Sequence, residues 1–328
     1  MSGLLALGLI SALSASTITL PAPHAPGQRL ALHCIAPAHA NGRSVLFVHG
    51  ASFPTMLAFG FEFAPGDSWM SHMAQQGFLV CGLDFLGFGA SSRPAAMARP
   101  AQAAAPVTRA TEAAQEIAVA VDYLRQTRRM SHVHLVAHSW GTIPAATFTA
   151  EHPGGLASLT LFGPVVAKAG ASAEALPGAW WTITAEARYQ QLRFKNVLPV
   201  GLTLLEPAVA QRWATAFDAS VPHIGGDAPG ELRIPAGPTV DIDAVTATGI
   251  YPYDPAAIKV PVFVVYGDYD RVTDDAGAAA LLAKFSNSPL KWRMRIDHGT
   301  HVMHLERNRH SLYQSVDAFI LAAEAQQR

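Results

Sequence analysis

Charge is scarce in this chain: Asp, Glu, Lys and Arg make up only 14% of its 328 residues, against about a quarter in ordinary globular proteins. The formal net charge is −1 and no basic stripe runs through the sequence. The densest cluster, Arg125, Arg128 and Arg129, falls where a helix should end and complements its dipole. The electrostatic footprint of a nucleic-acid partner is therefore missing. Cysteine is nearly absent too. Cys34 and Cys81 each lie in an apolar, strand-like run, where a thiol behaves as a small hydrophobe; buried thiols are expected, with neither a disulfide nor a metal site. Long apolar runs are also lacking. Beyond residues 1–15, no stretch approaches the roughly 20 residues needed to span a bilayer, so no stable membrane span is expected. Residues 1–15 are apolar and end in small residues, as an export leader does, but carry no Lys or Arg ahead of the apolar stretch. A cytoplasmic location is expected, with export through that segment as the alternative.

Hydrophobic residues, by contrast, make up half of the chain, enough for a large buried core. Residues 17–20 and 29–35 alternate around a Pro- and Gly-containing turn, as in an antiparallel hairpin. Continuous apolar runs at 44–48, 78–83 and 132–137 suit parallel strands buried on both faces. Further strands are expected at 156–161, 260–266 and 290–296. Helices are predicted at 68–75, with Asp67 as candidate cap, and at about 110–126, 142–150, 274–285 and from about His310. Alternating strands and helices imply an α/β fold with a mostly parallel sheet covered on both faces. The alternation fails between 165 and 254. Two helices are expected there, at 180–194 and 207–217 with Pro at the first turn of the latter, followed by a Gly/Pro-rich loop at 225–237. The reading is an α/β core at 1–164 and 255–328, with a mainly helical cap at 165–254 inserted over the strand ends.

A hydroxyl needs a base and an oriented carboxylate before it can attack at neutral pH. Ser139 lies in Ala137-His138-Ser139-Trp140-Gly141, between a buried strand and a helix, where a tight turn would lift its hydroxyl above the sheet. After the strand at 260–266 comes Gly267-Asp268-Tyr269-Asp270; Asp270 is the better orienting acid, Asp268 the alternative. After the strand at 290–296 comes Asp297-His298-Gly299-Thr300-His301-Val302-Met303-His304. His301 is the expected base and His298 the next choice, while His304 and His310 read as packing or surface residues. Three histidines without an acid or Cys ligand set do not make a metal site. Backbone amides of Ala51, after His49-Gly50, and of Trp140 are candidate oxyanion donors, with the Ser52 hydroxyl as a possible addition.

In this order, His49-Gly50, Asp84-Phe85-Leu86-Gly87-Phe88-Gly89-Ala90-Ser91, the Ser139 elbow, the Asp270 loop and the His301 loop resemble the α/β-hydrolase superfamily, whose triad follows the order Ser, Asp, His. The resemblance implies that fold, with Asp84 as a structural turn residue. Ser at 139 argues against the branches that use Asp there. Ala137 stands for the more common first Gly and Thr142 for a second Gly. Trp140 is bulkier than usual, and its side chain is expected to narrow the pocket. A substrate pocket is expected around His49, Ser52, Phe53, Trp180, Trp181 and Tyr251, with the aromatic loop at 51–66 (Phe53, Met56, Phe59, Phe61, Phe63) as a second wall.

The expected function is hydrolysis of a small-molecule carboxylic ester with an apolar portion, needing no cofactor and no metal. Cleavage of an amide or a carbon–carbon bond by the same triad is the alternative. A ligand-binding receptor that keeps the fold is the reading from another class. Substrate identity and oligomeric state are not encoded in any motif.

Overall fold

The computed structural model describes residues 13–171, 178–192, 198–220 and 230–326. In chain order the elements are β1 (Ser14–Pro21), β2 (Arg29–Ala36), β3 (Arg43–Val48), α1 (Thr55–Ala58), α2 (Trp69–Gln75), β4 (Leu79–Asp84), α3 (Ala110–Asp122), β5 (His132–His138), α4 (Thr142–Glu151) and β6 (Ser158–Phe162). Then come β7 (Trp180–Thr184), α5 (Ala185–Leu192), α6 (Pro207–Asp218), β8 (Glu231–Pro235), α7 (Gly237–Thr248), β9 (Val262–Gly267), α8 (Asp275–Lys284), β10 (Lys291–Ile296) and α9 (Arg309–Ala325).

Eight strands form one sheet in the order β1-β2-β4-β3-β5-β6-β9-β10. The pairs β1/β2 and β2/β4 are antiparallel, and the rest are parallel. Every residue of β4, β6 and β9 is buried, which is why these strands read as unbroken apolar runs rather than as alternation. Helix α3 lays Ala113, Ile117, Ala120 and Val121 against the core; each larger side chain so buried contributes on the order of 1.5–3 kcal/mol. The chain leaves β3 toward one edge and returns through β5 toward the other, so the ends of β3 and β5 form the switch point where α/β folds place their sites.

Four expectations are corrected. Cys34 and Cys81 are joined by a disulfide, because the antiparallel register of β2 and β4 sets them directly opposite one another. Register between distant segments leaves no trace in spacing, so two apolar cysteines read as thiols. Residues 180–184 are a strand, not the start of a helix: Trp-Trp-Thr-Ile-Thr is aromatic and β-branched, and it pairs antiparallel with β8, inside the stretch expected to be loop. Residues 225–229 of that stretch, like 193–194 of the expected helix, lie outside the described residues, and helix α7 follows where none was expected. The cap of α2 is Ser68, whose hydroxyl accepts from the Ser71 N–H; Asp67 pairs instead with Arg309 at 3.2 Å. Residues 1–12, most of the leader-like opening, lie outside the described residues.

The β7/β8 ribbon is stitched to the segment after β4. The Ala179 N–H donates to Ala101 O, Val107 N–H to Ala179 O, and Gly237 N–H to Val107 O. Among the described residues no helix is long and apolar enough to cross a membrane.

The disulfide closes a separation of 47 residues, and its removal in a Cys34→Ala/Cys81→Ala double variant is expected to cost about 2–4 kcal/mol with the fold retained. Guanidinium unfolding measures this; equal stabilities, or two titratable thiols in the denatured native chain, would contradict the bond.

Candidate active site

Strand β5 ends in a sharp turn. Ser139 adopts φ 56°, a left-handed conformation that costs a residue with a Cβ about 1–3 kcal/mol. It leads through the single 3-10 turn Ser139–Gly141 directly into α4. The turn is pressed against the end of β3: a Cβ on Gly141 would lie 2.3 Å from the His49 carbonyl oxygen, so only glycine fits. That close approach brings the loop carrying Gly50 and Ala51 alongside the elbow.

Two other strand ends supply partners. The Ser139 hydroxyl donates to His301 Nε2 at 2.8 Å. His301 Nδ1–H faces Asp270 Oδ1 and Oδ2 at 3.1 and 3.0 Å. Asp270 is held in turn by the amides of Val272 and Thr273, which donate to Oδ1 at 2.7 and 3.0 Å. All three side chains are buried. Asp268 instead accepts from the Gly299 amide at 3.0 Å and steadies the histidine loop. His298 is exposed, at φ 57°, and takes no part in this line.

The family model described as alpha/beta hydrolase fold matches residues 44–308. The chain belongs to this family. Among solved structures, the thioesterase domain from the curacin biosynthetic pathway is 16% identical, with a TM-score of 0.60 over 94% of this chain and 99% of that one. A putative lipase from Acinetobacter baumannii is 12% identical, with a TM-score of 0.60 over 95% and 93%. The monoacylglycerol lipase of Paleococcus ferrophilus is 16% identical, with a TM-score of 0.58 over 89% and 99%. At such identities these likenesses concern the fold. A search of curated proteins returned no match.

In this alpha/beta hydrolase the residues expected to line a pocket have the following surroundings. His49 is fully buried; its Nε2 accepts from the Phe85 amide at 3.2 Å and its Nδ1 faces Gly50 O at 2.8 Å, so it supports the loop rather than facing substrate. Burial favours its neutral form and lowers its pKa. Trp140 is also fully buried. Its indole N–H donates to Asp241 at 3.1 Å, so the side chain does not narrow a pocket. Phe53 packs edge-on against Trp213 at 5.2 Å and above His304, within the core cluster. Phe59 stacks on Phe47. Trp180 donates to Arg99 O and lies 3.9 Å beneath the Arg233 guanidinium. Trp181 faces Arg188, and Tyr251 donates to Val165 O at 3.0 Å. Ala51 and Ser52 are half-buried. Met56 is exposed.

Several supports were not foreseen. Gly163, just past β6 at φ 55°, lies so near His301 and Asp270 that a Cβ would stand 2.9 Å from His301 Nδ1 and 3.1 Å from Asp270 Oδ2; a strand-end glycine was its only trace in the sequence. His138 Nε2–H donates to the His301 carbonyl at 2.8 Å. Burial, with the His304 and His301 rings nearby, holds its pKa well below the usual value. His304 packs against it, 4.7 Å between ring centroids, and burial lowers its pKa to about 3. Asp84 accepts from the amides of Thr55 and Ala90 and from His33 Nε2, tying the loop after β3 to the glycine turn after β4. Among the described residues, no group of three or more His, Cys, Asp or Glu side chains is arranged to hold a metal ion.

Glu306 clamps the histidine loop from beneath. It is buried, accepts from the Thr300 amide at 2.9 Å, and shares a 2.5 Å bond with the Thr300 hydroxyl. A cavity of about 240 Å³ walled by Leu198, Leu202, Leu204 and Leu205 reaches it. Burial pushes its pKa up to about 7, with Asp270 and Asp268 adding to the rise and the Thr300 bonds opposing it. The folded chain therefore holds this proton more tightly than the unfolded chain, whose carboxyl titrates at 4.5. The associated stability is complete below that value and is lost as pH rises through about 7, amounting to about 3 kcal/mol. Glu306→Gln, neutral throughout, should lack this part of the slope, so its melting temperature gains on that of the parent between pH 5 and 8. Parallel melting curves across that range would show that Glu306 does not titrate there.

Proposed function

We propose that this chain is a serine hydrolase of carboxylic esters with an apolar portion. The observation that carries the proposal is the unbroken line from the Ser139 hydroxyl through His301 to Asp270, with 2.8 and 3.0 Å contacts, seated on the ends of β5, β9 and β10. In this reading His301 takes the Ser139 proton as the hydroxyl attacks the ester carbonyl. Asp270 keeps the imidazole proton on Nδ1 and stabilises the imidazolium. The amides of Ala51 and Trp140 receive the charge developing on the carbonyl oxygen. His301 then returns its proton to the leaving alcohol, and the acyl-enzyme forms. Water, deprotonated by the same imidazole, attacks the acyl carbon and regenerates Ser139.

The elements between β6 and β9 are proposed as a cap over the strand ends. A disulfide persists in oxidising compartments, so Cys34–Cys81 supports work outside the reducing cytoplasm, against the cytoplasmic expectation.

A panel of p-nitrophenyl esters of increasing acyl length, run beside aryl amides and vinylogous diketones, tests the reaction class. Esters should be turned over fastest, and Ser139→Ala, His301→Gln and Asp270→Asn should each lower kcat by about 10³–10⁴-fold or more. Turnover of amides or diketones alone would move the reaction class. Tight ligand binding without turnover in the parent chain would favour the receptor reading.

A further inference from the structure

The residue after the proposed nucleophile is tied to the segment between β6 and β9 by one buried carboxylate. Asp241, on α7, accepts through Oδ2 from the Trp140 indole N–H at 3.1 Å and from the Ala110 amide at 2.7 Å, and through Oδ1 from Arg109 Nε at 2.7 Å. The carboxylate is nearly buried and Trp140 wholly so. On another side Trp140 meets Phe85 edge-on, 5.3 Å between ring centroids. The Trp140 backbone is confined as well, because Gly141 abuts the His49 carbonyl.

From this arrangement we propose that Asp241 is a positioning residue: by fixing the Trp140 indole it aims the Trp140 backbone N–H at the oxyanion, and so makes the elements between β6 and β9 part of the catalytic geometry. The inference rests on the reading of Ser139 as nucleophile. A bond to a charged acceptor is stronger than one between neutral groups, and an indole held at its tip and on its face leaves Cα and the attached peptide little freedom. A donor in an oxyanion hole acts through direction and distance, and a small displacement is costly in rate. Asp241 touches no reacting atom; its effect passes through Trp140. It also caps the first turn of α3, at Ala110, so a loss of stability alone would not establish the role.

The test separates these effects with the ester that the panel selects and a trifluoromethyl ketone that mimics the tetrahedral adduct. Trp140→Phe removes the indole donor, along with part of the ring, and leaves Asp241 its bonds to Ala110 and Arg109. It should lower kcat and weaken the ketone by the same factor, about tenfold, with KM within about twofold. Asp241→Ala should do likewise, and adding Trp140→Phe to it should cost nothing more. Asp241→Asn, whose amide oxygen still accepts from the indole, should restore most of the loss, and Arg109→Gln should leave kcat unchanged. Should Asp241→Ala fail to fold, Trp140→Phe and Asp241→Asn decide. Parental kcat and ketone affinity in Trp140→Phe would overturn the proposal, as would additive losses in the double variant. A ketone that binds Ser139→Ala as tightly as the parent would instead overturn the nucleophile reading.

Discussion

The left-handed turn at Ser139 is the constraint around which the site is arranged. A serine at φ 56° persists only where the surroundings over-determine it, and here they do so from several directions. Strand β5 holds it from behind by pairing with β3 and β6. Gly141 presses on the His49 carbonyl, and the Thr142 hydroxyl donates back to the Ser139 carbonyl at 2.6 Å. A less strained turn would lay the hydroxyl along the sheet, out of reach of His301, the proposed base, on the loop after β10.

Around this turn, rigidity is supplied by buried polar groups, each of which holds a loop. Asp84 binds the loop after β3 to the turn after β4. His138, kept neutral by burial, anchors the His301 backbone. Glu306 clamps Thr300, and Asp241 joins Trp140 to α3 and α7. Buried polar groups left without partners would each cost roughly 1–3 kcal/mol, so once formed these contacts resist opening. The side chains proposed to react thus sit on loops, each held by a buried polar contact.

Much of this was legible in the sequence because it is local. The inner strands announced themselves as apolar runs and the first two as an alternating hairpin, and the Ser139, Asp270 and His301 turns followed β5, β9 and β10 in order. What failed was long-range. The Cys34–Cys81 bond depends on the register of two strands separated by 47 residues. Strand β7 depends on β8, about fifty positions on, without which Trp-Trp-Thr-Ile-Thr is an ambiguous apolar stretch. Trp140 and His49 looked like pocket residues because they adjoin the elbow and the β3 loop in sequence, whereas the fold turns both side chains into the core. Glu306 and Asp241 gave no sign of their role and Gly163 only that of a strand-end glycine; the fold alone brings Gly163 to the histidine loop and Asp241 to the elbow.

The central claim is that Ser139, and no other hydroxyl, is the activated nucleophile. A fluorophosphonate probe reacts with a serine only where a base removes its proton and donors stabilise the adduct. Incubation of the folded chain with the probe, followed by peptide mass spectrometry, should find one adduct, on Ser139, and none in His301→Gln within the same time. Labelling of a different residue, or no labelling of the folded parent chain, would contradict the account.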